Sequence, residues 1–219
     1  MNVLKPYRFI PDHEIERSAN DILRLMQQTR NYTLKWPLDA SRVAEFLGLD
    51  VVWDRIPPDN QGLIAARILP LERLIEINEN ILELPEGFEA STVAHEIGHW
   101  VLHINSEEVT KFLKQLEQGI KTTVEPFLCR SVKSQYGIEW QAQYFASCLM
   151  MPQYKLAEVQ KGRNLTNWNH LYAMRDELGV TISNLTNRLK SLKWIILSKN
   201  SKQIYLGKCA PSQNKQMLE

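Results

Sequence analysis

The sequence predicts an α+β protein, with a small antiparallel or mixed sheet, a helix carrying a histidine pair, a second helix facing it, and a C-terminal segment of helices and a hairpin. Three observations carry that prediction. Apolar residues recur at helical spacing near the N-terminus, at 91–104 and at 138–151; short runs at 49–53, 63–69 and 74–77 read as strands; and helical texture returns from Trp168 ahead of two last short strands.

Along the chain, Ile15, Ala19, Ile22, Leu23 and Met26 mark one face of a first amphipathic helix. A second, short helix is expected at 39–47, with Asp39 as its N-cap and Gly48 closing it. The strands at 63–69 and 74–77 flank a turn containing Pro70 and so form a hairpin. Val93, Ala94, Ile97, Val101 and Leu102 then define a helix at 91–104, with Ser91 and Thr92 as capping candidates after the acidic Glu86 and Glu89. A polar stretch follows, with one helix through Val109, Phe112, Leu113 and Leu116 and a loop from Gly119 to Gly137. The helix at 138–151 is stopped by Pro152, which lacks a backbone donor. Beyond Trp168 the order is helix, turn at Gly179, helix at 183–192, and a hairpin at 194–206 turning at 199–201, which is winged-helix-like.

At 219 residues and 25.5 kDa, with 44% hydrophobic and 23% charged residues, the chain can bury one sizeable core or a core with a small satellite. The expected division is a core at 1–154, a basic segment at 155–208 packed on or appended to it, and a tail at 209–219. A net charge of +1 excludes a chain-wide polybasic surface. The three cysteines are odd in number and form no Cys-x-x-Cys pair, which suggests neither a disulfide framework nor a thiolate zinc knuckle. Pro6, Arg8, Pro11, Asp12 and Glu14 interrupt the region where a secretory signal would need a continuous apolar core, and no apolar run approaches the roughly 20 residues that span a bilayer. These features predict a cytoplasmic protein with no membrane partner.

The residues that carry chemistry are His95-Glu96-Ile97-Gly98-His99, an HExxH pattern inside an expected helix. Two histidines four residues apart stand on one helix face, about 6 Å apart along it, so both imidazoles can reach one zinc ion. Glu96 lies beside them without being a ligand, in position to act as a base. Gly98 costs about 1 kcal/mol in a helix interior and implies that something approaches the backbone closely. The extended pattern HExxHxxGxxH would need Gly and His where this chain has Leu102 and Asn105, so that class of metalloprotease is excluded. His103 lies a further turn away from His95 and reads as a buried histidine supporting a ligand rather than as a ligand. Glu139 is the better third ligand, although an acidic residue at a helix start also satisfies the helix dipole. Ala142 and Ala146 share its face and would admit a partner helix, and Gln143 could hydrogen-bond a ligating imidazole.

On His95 to His103, followed after an insertion by Ile138-Glu139-Trp140-Gln141-Ala142-Gln143-Tyr144-Phe145-Ala146-Ser147-Cys148-Leu149-Met150-Met151-Pro152, the chain resembles the ImmA/IrrE-type metallopeptidases. The resemblance implies a zincin-type α+β core with His95, His99 and Glu139 as ligands to one zinc ion per chain and Glu96 as catalytic base. It also implies hydrolysis of a protein substrate, a helix-turn-helix repressor. Where related zinc peptidases more often carry Asn or Asp, this chain has Gln143. For the donor that would stabilise a tetrahedral oxyanion, Tyr136, Tyr154, His170 and Arg130 are candidates among which spacing does not select.

Charge is segregated along the chain, with ten Lys/Arg against three Asp/Glu at 155–208 and fifteen against twenty-one at 1–154. In the basic segment Arg188, Lys190, Lys193, Lys199 and Lys202 could meet DNA phosphates through residues 168–206, or could be solvated charges on a segment that packs against the core. The second functional reading is therefore a DNA-associated regulator with a structural or sensory zinc site. The intact Glu96 favours the enzyme, because a structural site has no use for a base.

Overall fold

The structure is a computed structural model that describes the chain except residues 1–2, 31–32, 61, 84–86, 122, 131–136, 199–201 and 212–219. It has a mixed α+β fold, with eight α-helices among the described residues, a four-stranded sheet and a separate two-stranded one.

Helix α1 (Asp12–Gln28) buries Ile15, Ala19, Ile22, Leu23 and Met26, the stripe expected from spacing, against a later helix, α5 (Ile138–Met150). In α2 (Ala40–Phe46) the Asp39 carboxylate accepts from the backbone N–H groups of Ser41 and Arg42, satisfying donors that the first turn cannot pair internally. Gly48, at φ +72°, then turns the chain into β1 (Asp50–Asp54).

The main sheet has the order β1, β3 (Leu74–Asn78), β2 (Ile64–Leu69), β4 (Phe127–Arg130). β1 runs parallel to β3, and β2 runs antiparallel to both β3 and β4. Strand alternation sends Ile64, Ala66, Ile68, Ile75 and Ile77 into the core, where helix α3 (Phe88–His103) lies across them. On the opposite face Arg67 and Glu76, paired in register, form an ion pair.

Strand β4 corrects the expectation of a loop from Gly119 to Gly137. Four residues are too few to show a period, and the strand exists because the free edge of β2 supplies its hydrogen-bond partners. Helix α3 also departs from expectation at its start. It begins three residues early, after Gly87 at φ +83°, and the Ser91 and Thr92 hydroxyls donate back to the carbonyls of Gly87 and Phe88 instead of capping. Helix α4 (Ser106–Glu117) is capped by Asn105.

Pro152 ends α5 as expected and also starts α6 (Gln153–Gln160), where its fixed φ suits a helix N-terminus. Helix α7 (Trp168–Leu178) closes on Gly179 at φ +65°, and Thr181 caps α8 (Ile182–Ser191). The hairpin of β5 (Ile195–Leu197) and β6 (Ile204–Leu206) follows, its turn at 199–201, with Lys199, lying outside the described residues.

The C-terminal elements share one core with the rest, since Leu171, Met174, Leu185, Leu189 and Trp194 belong to the same buried cluster as residues of α1, α3 and α5. Arg188 is part of this seam. Its buried guanidinium pairs with Glu16 of α1 and donates Nε–H to the Met151 carbonyl at 3.2 Å. The expectation that Arg188 meets phosphates is thereby corrected, because its donors are turned inward. Among the described residues no helix is long and apolar enough to cross a membrane.

The contact that positions everything else joins α3 and α5. A Cβ on Gly98 would sit 2.9 Å from the Ala142 carbonyl oxygen and 3.1 Å from its Cα. Gly98→Ala should gain about 1 kcal/mol of helix propensity and lose more, some 1–3 kcal/mol, to a clash with backbone that cannot rotate away. The expected result is a lower urea midpoint, measurable on the purified variant.

Candidate metal centre

Helix α3 presents His95 and His99 one turn apart, and α5 begins with Glu139 opposite them. The His95 and His99 Nε2 atoms are 3.0 Å apart; Glu139 Oε2 lies 3.1 Å from His95 Nε2, and Oε1 lies 3.4 Å from His99 Nε2. These are the spacings of donors around one ion, because ligands at about 2.0–2.1 Å in a tetrahedron stand roughly 3.3 Å apart. Two imidazole nitrogens and a carboxylate are also a chemically suitable set for zinc-like divalent metals. The group His95, His99 and Glu139 can therefore hold a metal ion.

The protonation states suit that role in part and oppose it in part. Burial, aided by the neighbouring His95 and His103 charges, outweighs the Glu139 hydrogen bond and holds His99 down at about 4, so its imidazole is neutral near pH 7. Burial also opposes the carboxylate of Glu139, but hydrogen bonds and charge from both histidines outweigh it and bring that group to about 2. For His95 burial favours the neutral ring, yet the hydrogen bond to Glu139 and the charges of Glu96 and Glu139 raise its pKa overall. Protonation of His95 therefore competes with a metal more than protonation of His99 does.

Behind His99 runs a chain of hydrogen bonds whose direction is fixed. The Gln141 Nε2 amide donates to the Arg8 carbonyl at 3.0 Å, which leaves Gln141 Oε1 facing His103 Nε2 at 2.9 Å as an acceptor. His103 Nε2 must then carry hydrogen, so its Nδ1 accepts from His99 Nδ1 at 3.1 Å. With its proton on Nδ1, His99 offers the Nε2 lone pair to the metal position. Phe127 of β4 lies against the other side of the ring, with centroids 4.6 Å apart.

His103 is thus placed behind the ligands, bonded to His99. Gln143 is not. It is exposed and has no hydrogen bond to either histidine among the described residues; Gln141, two positions earlier and buried, bonds instead to His103, one step behind the candidate ligand His99. A helix face carrying Glu139 also carries residue 143, and only the N-terminal arm at Arg8 draws residue 141 into the network. Glu96 is buried directly after His95. Tyr154 packs edge-on against Trp36, and His170 Nδ1 accepts from the Asn164 N–H, so both are engaged elsewhere. Tyr136 and the Arg130 side chain lie outside the described part of the structure.

No family model and no curated protein matches this chain. Among solved structures, it is similar to a Mycobacterium tuberculosis transcriptional regulator at 13% identity and a TM-score of 0.45, over 84% of this chain and 53% of that one. This chain therefore spans about half the length of that protein, and function has to be argued from the site.

Two outcomes are expected. Because His95 is raised and His99 depressed, apparent affinity for an added divalent metal ion should fall as pH drops through the His95 range, about tenfold per unit, and more steeply below about 4, where His99 also protonates. Competition titration across pH measures this. Gln141→Leu should weaken binding of an added divalent metal ion by about 10–100-fold at neutral pH while leaving His95, His99 and Glu139 in place.

Proposed function

We propose that the chain is a zinc-dependent endopeptidase of the ImmA/IrrE type that hydrolyses a peptide bond in a protein substrate. The observation that carries this reading is the convergence of three donor side chains at 3.0–3.4 Å with the buried carboxylate of Glu96 next to one of them. On this reading α3, α5 and the main sheet are a zincin-like core, and α7, α8 and the C-terminal hairpin are a winged-helix-like brace.

A bound zinc ion would supply Lewis acidity, polarising the scissile carbonyl and acidifying water to a pKa near 7. Glu96 takes the proton from the attacking water and returns it to the departing amine, a role that needs a carboxylate adjacent to the ligands and not among them. The Gln141–His103–His99 chain keeps the His99 Nε2 lone pair aimed at the site. Strand β4 pairs with β2 along one edge, and among the described residues no strand pairs with its other edge. With Phe127 against His99, that edge offers backbone donors and acceptors to an extended substrate beside the ligands.

Resemblance to the same family proposes a helix-turn-helix repressor as the substrate. The alternative, a DNA-associated regulator with a structural metal, loses one of its five expected phosphate contacts, since Arg188 is engaged by Glu16 and the Met151 carbonyl.

Glu96→Gln should bind zinc as well as the parent chain and lose about 10²–10⁴-fold of its cleavage rate on helix-turn-helix repressors or on denatured casein. Metal analysis and gel-based cleavage assays read the two separately. Unchanged cleavage in the variant would remove Glu96, and the mechanism, from consideration.

A further inference from the structure

We propose that the cavity where α3, α5 and α8 meet receives one uncharged side chain with an amide or hydroxyl tip, from a substrate residue flanking the scissile bond. This rests on the endopeptidase reading and adds to it the substrate preference that the chain enforces.

Location comes first. Ser91 lines the cavity one turn before His95 on α3, and Gln143 lines it one turn after Glu139 on α5. Residues four apart on a helix are about 6 Å apart, so the cavity opens one helical turn away from two of the three ligands. A residue adjacent to a bond held at the metal site reaches it without further extension, since consecutive residues advance by about 3.3 Å.

Size and lining then select the occupant. The cavity measures about 250 Å³, and at roughly 30 Å³ per water-sized group it has room for about eight such groups, the scale of a glutamine or tyrosine side chain. Its flat wall is the stacked pair Trp140 and Tyr144, with centroids 5.4 Å apart and planes 14° from parallel. Asn184, Asn187 and Ser191 of α8 and Ser147 of α5 supply polar lining. Asn184 Nδ2 donates to Ser91 Oγ at 2.8 Å, and that hydroxyl donates to the Gly87 carbonyl, so Asn184 is held with its carbonyl oxygen available.

Among the described residues, no charged side chain lines the cavity. A lysine or glutamate entering it would shed hydration with no counter-charge in return. Arg188, behind the wall with its guanidinium 5.8 Å from the Tyr144 ring centre, is already paired with Glu16. The lining is mixed, because Ala146, Met150, Met151 and Val180 stand among the amides and hydroxyls; a purely aliphatic side chain would match only that apolar part, whereas a glutamine or tyrosine, with an apolar body and a polar tip, matches both.

The test uses the zinc-loaded Glu96→Gln protein, so that binding is read without hydrolysis. Nine-residue alanine and glycine peptides carrying a single central Gln, Tyr, Leu, Glu or Lys are titrated while the side-chain amide NMR signals of Gln143 and Asn187 are followed. Gln and Tyr peptides are expected to shift these signals and to bind at least about tenfold more tightly than Leu, Glu or Lys peptides, and a Leu peptide that binds as tightly as they do overturns the proposal. In Asn187→Asp, an exposed position whose change spares the fold, the Lys peptide should gain about tenfold over the Gln peptide. Equal affinity for all five, no shift up to millimolar peptide, or an unchanged order in Asn187→Asp overturns the proposal. The expected order of binding alongside a parent protein that cleaves nothing would leave the cavity assignment standing and sink the peptidase reading; cleavage indifferent to the flanking residue would do the reverse.

Discussion

The close approach of α3 to α5 at Gly98 is the constraint on which the site depends. Helix axes ordinarily stand 8–10 Å apart, held off by side chains, and a Glu carboxylate on one helix must reach two imidazoles on the other. At Gly98 the neighbour is the Ala142 backbone itself, with the Phe145 ring 3.2 Å from where a Cβ would stand. The glycine costs α3 about 1 kcal/mol of propensity, and tertiary contact with α5 and the sheet offsets it. Any larger residue would push Glu139 outward and spread the three donors beyond the radius of one ion.

A second constraint arrives from the N-terminus. Lys5 N–H donates to the His103 carbonyl, Asn105 N–H donates to the Val3 carbonyl, and the Arg8 carbonyl accepts from Gln141. A short arm thus touches the end of α3 and the start of α5 together. Because a carbonyl can only accept, the Arg8 contact sets the orientation of the Gln141 amide, then the tautomer of His103, then that of His99. A backbone group three hydrogen bonds away thereby decides which nitrogen of His99 faces the candidate metal position. Burial reinforces the outcome by keeping His99 neutral.

Local signals were legible in the sequence where they act within a few residues. The Asp39 cap, the positive-φ turns at Gly48 and Gly179, the hairpin of β2 and β3, and the buried stripe of α1 follow from residue type and spacing alone. The histidine spacing and Gly98 were readable for the same reason, while Glu139 needed a partner helix to give it meaning. What escaped depends on contacts distant along the chain. Strand β4 borrows its stability from β2, Gln141 acquires its role from Arg8, and the Ser91 hydroxyl was drawn toward Gly87 because the helix starts earlier than its polar residues suggest. The inward turn of Arg188 was invisible for the same reason, since a basic residue on an amphipathic helix carries no mark of an acidic partner 172 positions away.

Arg188 also explains why a charged group lies so deep in a segment whose sequence suggests a solvated surface. Burying a guanidinium costs several kcal/mol in lost hydration, and pairing with Glu16 and the Met151 carbonyl recovers only part of that while one Nη remains without a partner among the described residues. An apolar residue of similar volume would hold α8 against α1 more cheaply. The guanidinium adds direction: its bonds tie the end of α5 and the N-terminal part of α1 to α8, and it lies behind Tyr144, the ring that stacks with Trp140. That stack lines the cavity one helical turn from His95 and Glu139, so a costly buried charge in one layer supports the wall of an uncharged cavity in the next.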